Sequence, residues 1–274
     1  EGNTPGIPYD FIEHTFYCNN NIFVSTRRGA AAYNMRSGAW HSISDGLPVQ
    51  DMMQIGNRAF FIRQKALFEY DFQENKLVRC DFPAHLRISL FIPSDDGQLW
   101  GISDDYKQVY CYNFESKELV GSPLNDAVPI PGTFHEIIDH HLFLSTESGL
   151  KISRTSVEGR ILNESSKLFK QFKGSSMLSF FLSVERWDAS RVLISFFEQG
   201  MYLYDLQKGT LTKIPKEDSG LDSDLIKALF KDRDGNLWVG TFDKGLEVYY
   251  NKQNEFNFDR QLNILAPNEF VNTI

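Results

Sequence analysis

Cysteine is scarce: Cys18, Cys80 and Cys111 are the only three among 274 residues. They are too few and too widely spaced for a disulfide framework or a zinc knuckle, so they read as small apolar fillers. Long apolar runs are missing too. Nothing approaches the roughly 18 consecutive apolar residues of a membrane-spanning helix, and no membrane insertion by this chain is expected. Positive charge is in deficit, with 28 Lys and Arg against 36 Asp and Glu and a net charge of −8. A chain of pI near 5.3 lacks the contiguous basic surface that neutralises a phosphate backbone, which argues against nucleic acid as a partner. Neither an initiator Met nor a charged-then-apolar leader precedes Glu1, so a piece of a larger protein is expected. Three catalytic signatures are absent: His-Glu-x-x-His, the Gly-x-Ser-x-Gly elbow and the Gly-x-x-x-x-Gly-Lys loop. Their absence lowers the odds of those enzyme classes.

What the chain has is aromatic and strand-forming material. Phe contributes 23 residues, aromatics 14% and hydrophobics 42%, which favours sheet over helix. The clearest unit runs from Asp232 to Tyr249. Asp234-Gly235-Asn236 leads into Leu237-Trp238-Val239-Gly240-Thr241, and after Lys244-Gly245 the apolar pattern resumes with Leu246, Val248 and Tyr249. Turn residues between runs of this kind predict strand, turn, strand. Weaker copies precede it, giving hairpins near 19–33, 56–71, 95–113, 139–153, 188–205 and 232–250.

The second-strand markers Tyr33, Tyr70, Tyr112, Ser153, Tyr204 and Tyr249 are separated by 37, 42, 41, 51 and 45 residues. A period of that size with four short strands per repeat is the signature of a β-propeller. An apolar strand precedes each hairpin, as in Leu225 to Phe230, and a short outer strand follows, as in Glu255 to Phe258. Leu225, Ala228 and Leu229 also suit helical spacing. Their segment is too short for a stable helix, and its counterparts Phe11 to Tyr17, Met52 to Ile55 and Ile88 to Ile92 favour extended chain. Gly6-Ile7, Gly46-Leu47 and Gly220-Leu221 mark where one repeat hands over to the next. The expected fold is therefore all-β: a propeller of four-stranded blades over residues 1–274, with six complete repeats and, at 268–274, the first strand of a seventh.

Gly-Leu-x-x-x-Leu-Ile, Asp-x-Asp-Gly-Asn-Leu-Trp-Val-Gly-Thr and Lys-Gly-Leu-x-Val-Tyr at residues 220–249 resemble the two-component regulator propeller repeat. The sixth repeat carries the resemblance closely, the first, third and fifth in part, and the second and fourth in hydrophobic pattern. In that family, seven-bladed propellers occur in tandem in the extracytoplasmic sensor region of hybrid two-component systems of glycan-degrading gut bacteria. The resemblance implies a periplasmic sensing fragment for a complex carbohydrate or its breakdown product, with no catalysis of its own, no cofactor, and a homodimer formed through the parent protein. Six repeats and a stub depart from a closed seven-bladed ring, so the fragment was cut within a propeller or a blade is completed by other chain. A propeller glycosidase or polysaccharide lyase, and a protein-binding scaffold, remain the alternatives. A retaining glycosidase would need two carboxylates about 5 Å apart.

Several constellations bear on the site. His135, Glu136, Asp139, His140 and His141 supply metal-ligand types within seven residues, but alternate residues of an extended chain face opposite ways and a solvated turn is the better reading. Asp232, Asp234 and Asn236 suggest a calcium loop, yet Gly235 comes too early and no Glu follows at the right spacing. Asp95 to Trp100 has a faint likeness to the aspartate box of propeller glycosidases, with Pro93 where Ser or Thr is expected. Trp100 and Trp238 occupy equivalent places and read as packing between blades. Trp40 and Trp187 fall outside that register and are better candidates for exposed aromatic platforms.

In a four-stranded meander, the loop between the central strands and the link to the next blade emerge on one face, around the axial channel entrance where propellers commonly hold ligands. The central loops carry Arg27, Arg28, Arg63, Lys65, Asp104, Asp105, Tyr106, Glu147, Phe197, Glu198, Phe242, Asp243 and Lys244. Guanidinium forks, carboxylates and aromatic rings are what a sugar or uronate site uses. Arg27, Arg28, Arg63 and Lys65, from neighbouring repeats, suggest a local positive patch for an anionic or highly hydroxylated ligand.

Overall fold

A computed structural model describes residues 6–8, 12–44, 46–80, 86–114, 116–124, 129–130, 135–146, 148–170, 181–196, 198–216 and 220–250. The described strands form six antiparallel sheets, each a meander in which every strand pairs with the next in sequence. The first comprises β1 (Ile12–Cys18), β2 (Asn21–Thr26), β3 (Gly29–Asn34) and β4 (Ala39–Ser42). The second comprises β5 (Asp51–Ile55), β6 (Arg58–Arg63), β7 (Ala66–Asp71) and β8 (Lys76–Arg79). The third comprises β9 (Ile88–Pro93), β10 (Leu99–Ser103), β11 (Gln108–Tyr112) and β12 (Leu119–Pro123). The fourth comprises β13 (His135–Ile138), β14 (His141–Thr146), β15 (Gly149–Thr155) and β16 (Ile161–Lys170). The fifth comprises β17 (Phe181–Arg186), β18 (Arg191–Phe196), β19 (Gly200–Asp205) and β20 (Thr210–Lys213). The sixth shows β21 (Ile226–Lys231), β22 (Leu237–Thr241) and β23 (Leu246–Tyr249) among the described residues. These are the blades of an all-β propeller fold.

The repeat markers hold their register. Tyr33 lies opposite Ile22, Tyr112 opposite Leu99, Ser153 opposite Leu142, Tyr204 opposite Val192 and Tyr249 opposite Leu237. Each therefore pairs with the first apolar residue of its second strand. The segment with helical spacing, Leu225 to Phe230, is extended chain, with β21 running Ile226–Lys231, as its counterparts require. The handover glycines Gly6, Gly46 and Gly220 have φ of 99°, 75° and 64°, a conformation that disfavours a side chain. The ten-residue β16 accounts for part of the long interval after Ser153. Phe11, the outer strand Glu255 to Phe258 and the stub at 268–274 lie outside the described residues.

The chain divides into two compact units, Glu1–Pro123 with Glu158–Arg160, and Leu124–Val157 with Ile161–Ile274. In the first unit, β1 runs beside β5 and β5 beside β9, so the leading strands of consecutive blades are neighbours. Alternation of side chains then fills the spaces between blades. Phe23, Ala30 and Ala32 of the first blade meet Met52, Phe61 and Tyr70 of the second, while Met53, Phe60 and Ile62 point the other way to meet Ile88, Phe91 and Leu99 of the third. Phe23 is wholly buried, with ring centroids of Phe16 at 5.0 Å, Tyr70 at 5.0 Å and Phe61 at 5.4 Å.

The second unit is built alike. Phe143, Leu150 and Ile152 pack against Val192, Ile194, Tyr202 and Tyr204, and Leu193 and Met201 against Ile226, Leu229 and Val239. Side chains also bridge the leading strands β17 and β21: the Ser183 hydroxyl accepts from the Leu229 N–H at 3.1 Å, and the Glu185 carboxylate accepts from the Lys231 N–H at 3.1 Å. No helix among the described residues is long and apolar enough to cross a membrane.

Candidate functional site

Each blade has two unlike ends. At one, the turns from first to second and from third to fourth strand are tied down by Asp and Asn side chains. Asn34 Oδ1 accepts from the N–H groups of Arg36 and Ser37, and Asp205 Oδ1 from those of Gln207 and Lys208. Asp71 does the same with Gln73 and Glu74. The donated N–H of Glu74, with that of Gln73, holds the Asp71 carboxyl below its ordinary range, and Lys208 leads the same effect on Asp205. In the sixth blade Asp232 accepts from the N–H groups of Asp234 and Asn236, from the Asn236 side chain at 2.9 Å and from the Trp238 indole at 2.9 Å. Burial pushes its pKa up, but these bonds outweigh burial and leave it lowered. The conspicuous Asp-x-Asp-Gly-Asn-x-Trp motif thus closes its own hairpin.

The faint aspartate box is explained in the same way. Pro93 does lack a hydroxyl, but Ser94, one residue on, bonds to Asp96 and at 3.1 Å accepts from the Gln98 N–H. Trp100 is buried, as packing requires, whereas Trp238 is half-buried with its indole held by Asp232. Trp40 and Trp187 are not exposed platforms. Trp40, on the outer strand β4, is half-buried beside Tyr33 at 5.1 Å, with Gly6 against its side chain. Trp187 is half-buried, with the Lys231 ammonium 5.3 Å from its ring. Both lie toward the Asp-tied ends of their blades, so the structure does not gather them with the loop residues.

At the other end, three of the loops close through a threonine hydroxyl and a backbone carbonyl. The Thr26 hydroxyl donates to Gly29 O at 3.0 Å, Thr146 to Gly149 O at 2.7 Å and Thr241 to Gly245 O at 2.9 Å. This is the signal the sequence reading missed. Ser-Thr at 25–26 and 145–146 and Gly-Thr at 240–241 each precede a loop that ends in Gly. The same loops are bonded to the segments that enter the blades: Lys65 N–H donates to the Gln50 side chain at 2.8 Å, Asp104 N–H to Arg87 O at 2.9 Å and Phe242 N–H to Leu225 O at 2.9 Å. The backbone there is pinned, so the rim is preformed.

In the first unit, this rim brings together leading-strand and loop side chains. Arg27 pairs with Glu13 of β1 at 3.1 Å, Lys65 with Asp104 at 3.7 Å, and the Tyr106 hydroxyl lies 3.2 Å from that of Ser89 on β9. Asp105 accepts from the Ser103 hydroxyl at 2.6 Å, which leads the lowering of its pKa. Arg63 lays its guanidinium 4.7 Å from the Phe68 ring centre, with Nε buried and without a hydrogen-bond partner. Asp104 Oδ1 is buried and without one as well. Asp51, missed from sequence, sits at the start of β5. Burial raises its carboxyl above the ordinary range, partly offset by the Met52 N–H and the nearby His14.

In the second unit, the corresponding rim carries Phe242, Asp243 and Lys244. Asp243 accepts from the Ser223 hydroxyl, and the Lys244 N–H donates to Thr241 at 2.9 Å. Lys227 of β21, also missed from sequence, places its ammonium 5.5 Å from the Phe242 ring centre. Glu198, with φ 58°, stands in the loop before β19. Glu147 and Phe197 lie outside the described residues.

The histidine-rich stretch is a tight turn at Asp139-His140, with φ of 49° and 56°. It is less solvated than expected. His141 is buried, its Nδ1 2.7 Å from Asp139 O, and burial lowers its pKa; burial pushes His135 down to about 4. No group of three or more metal-ligating side chains stands together among the described residues. Burial drives the Cys111 thiol up to about 12, which makes it unreactive.

Residues 220–243 match the two component regulator propeller family, which bears out the resemblance read from the sixth repeat. A search of curated proteins gives no match. Among solved structures, the chain is similar to the extracellular domain of the hybrid two component system BT4673 from B. thetaiotaomicron, with 17% identity and a TM-score of 0.62. The alignment covers 96% of this chain and 35% of that one, so the chain spans about a third of its length. Virginiamycin B lyase from Staphylococcus aureus is similar with a TM-score of 0.56 at 11% identity, covering 88% of this chain and 85% of the other. A chain of the Mitotic Checkpoint Complex is similar with a TM-score of 0.63 at 10% identity, covering 98% and 82%. At such identities the likeness establishes the propeller fold alone.

Proposed function

We propose that this chain is an extracytoplasmic ligand-sensing domain of a hybrid two-component signal-transduction protein, located in the periplasm and responding to a complex carbohydrate or oligosaccharide. The observation that carries the sensor reading is the match of residues 220–243 to the two component regulator propeller. The carbohydrate part is supported by the rim of the first unit. Arg27, Arg63, Lys65, Asp104, Tyr106 and Asp51 offer donors and acceptors beside half-buried rings, as a polyhydroxylated ligand requires. The domain binds and does no chemistry, and it passes the event on through rearrangement or dimerisation of the parent protein.

The test is a thermal-shift screen against plant, host and microbial oligosaccharides, with product analysis of each mixture. A ligand at 100 times its dissociation constant adds about 2.7 kcal/mol of stability, which is readily seen. A shift with one glycan class and no product supports sensing. The enzymatic reading has one observation in its favour, the raised carboxyl of Asp51, which suits a general acid. Product formation abolished by Asp51→Asn would replace the sensor reading with it.

A further inference from the structure

We propose that Lys227 and Phe242 form a subsite for an acidic group, a carboxylate or sulfate ester, on the sugar that this domain binds. The inference rests on the carbohydrate-sensing function proposed above and names the class of sugar. Lys227 stands on β21, the leading strand of its blade, at the end where the ligand-facing loops emerge. It differs from Arg27 and Lys65. Arg27 has Glu13 and Lys65 has Asp104, but no carboxylate lies within ion-pair distance of the Lys227 ammonium among the described residues.

The side chain is half-buried all the same, and burial alone holds its pKa below the ordinary lysine value. Removing an ammonium from water without an anion is unfavourable, and a neighbouring aromatic ring compensates weakly. The Phe242 ring, 5.5 Å from Nζ, supplies that compensation, and the Phe242 N–H bond to Leu225 O at 2.9 Å fixes the ring's backbone. The neighbouring Asp243 accepts from the Ser223 hydroxyl and is turned to its own loop. The two set a half-buried cation beside a half-exposed ring. A pyranose bearing a carboxylate or sulfate fits both parts, with its C–H face on Phe242 and its anion on Lys227. A neutral sugar satisfies the ring alone, and an amino sugar is repelled by the ammonium.

The test is calorimetric titration of the whole chain with trigalacturonic acid, a chondroitin sulfate tetrasaccharide and neutral xylotetraose, using the wild type, Lys227→Met and Lys227→Arg. At least one acidic probe should bind, and Lys227→Met should weaken it about tenfold or more while leaving xylotetraose unchanged. Lys227→Arg should retain most of the affinity. Acidic binding should weaken as salt rises from about 0.05 to about 0.3 M, because the screening length shortens below the range of a partly exposed pair. Lys227→Met should melt no lower than the wild type, which separates a lost contact from a lost fold. Acidic probes that bind equally to Lys227→Met overturn the subsite. Binding of xylotetraose without either acidic probe also overturns it and leaves the sensing function standing. Binding of no probe overturns the subsite and counts against sensing by this chain as well.

Discussion

Replacing Asp232 with Ala removes one carboxylate that accepts four hydrogen bonds inside a single hairpin turn. The donors are the backbone N–H groups of Asp234 and Asn236, the Asn236 amide and the Trp238 indole, all between 2.8 and 3.0 Å. Bonds to a charged acceptor are each worth about 1.5–3 kcal/mol when buried. Here the carboxylate is half-buried and water can take over the two backbone donors, so the four together should contribute about 2 kcal/mol. The Trp238 indole is the donor that water replaces least well. The assay is urea unfolding followed by fluorescence, comparing midpoints at constant slope. Asp232→Asn should lose about half as much as Asp232→Ala, because the amide keeps one acceptor.

A pH series sharpens the test. The Asp232 carboxyl is lowered in the fold, its hydrogen bonds outweighing the upward push of burial. Its contribution is therefore fully present above the unfolded value of about 3.9 and is lost as pH falls through the folded value. The gap between wild type and Asp232→Asn should close under acid. A loss below about 0.5 kcal/mol at neutral pH, typical of a plain surface site, would refute the argument that this motif is a folding element.

Three further outcomes are expected. Phe23→Ala empties a wholly buried site ringed by Phe16, Phe61 and Tyr70, and should cost about 3–5 kcal/mol in urea or thermal unfolding. His135 is pushed from 6.5 to about 4 by burial, so the fold binds fewer protons than the unfolded chain in that window and stability should decline as pH falls from 6.5 to 4. The decline attributable to His135 is on the order of 3 kcal/mol at most, and a stability profile of His135→Gln should be flatter across that range. Arg27→Ala with Arg28→Ala should weaken binding of the glycan found in the thermal-shift screen while leaving the melting temperature nearly unchanged, because the pair of Arg27 with Glu13 is at an exposed site and worth under about 1 kcal/mol.

The propeller was legible because its unit is local. Glycine at 235 and 245 takes up the positive φ that tight turns need, apolar residues alternate on either side, and the pattern recurs at a spacing that four short strands fill. The strand identity of Leu225 to Phe230 followed from repeat equivalence, where spacing alone suggested a helix. The loops that carry Arg27, Arg63, Lys65, Asp104 and Phe242 were placed between the central strands by the same logic. Alternation along a chain decides which end of a meander a loop occupies.

Contacts that the repeat does not encode were a different matter. Ser94 supplies the hydroxyl that Pro93 lacks because the turn closes one residue later, a detail of loop geometry that residue types do not fix. Trp40 and Trp187 looked exposed because they fall outside the repeat register, yet Tyr33 and Lys231 lie against them. Asp51 and Lys227 look like ordinary surface charges in the sequence. Their altered ionisation comes from burial on leading strands, where chain remote in sequence removes water. Sequence by itself determined the repeat, the strands and the end of each blade at which charged loops emerge, since turn and strand preferences act over a few residues. Tertiary structure alone decided which charges are paired, which are desolvated and which aromatic rings are covered, since those depend on neighbours that the chain brings together only when blades pack.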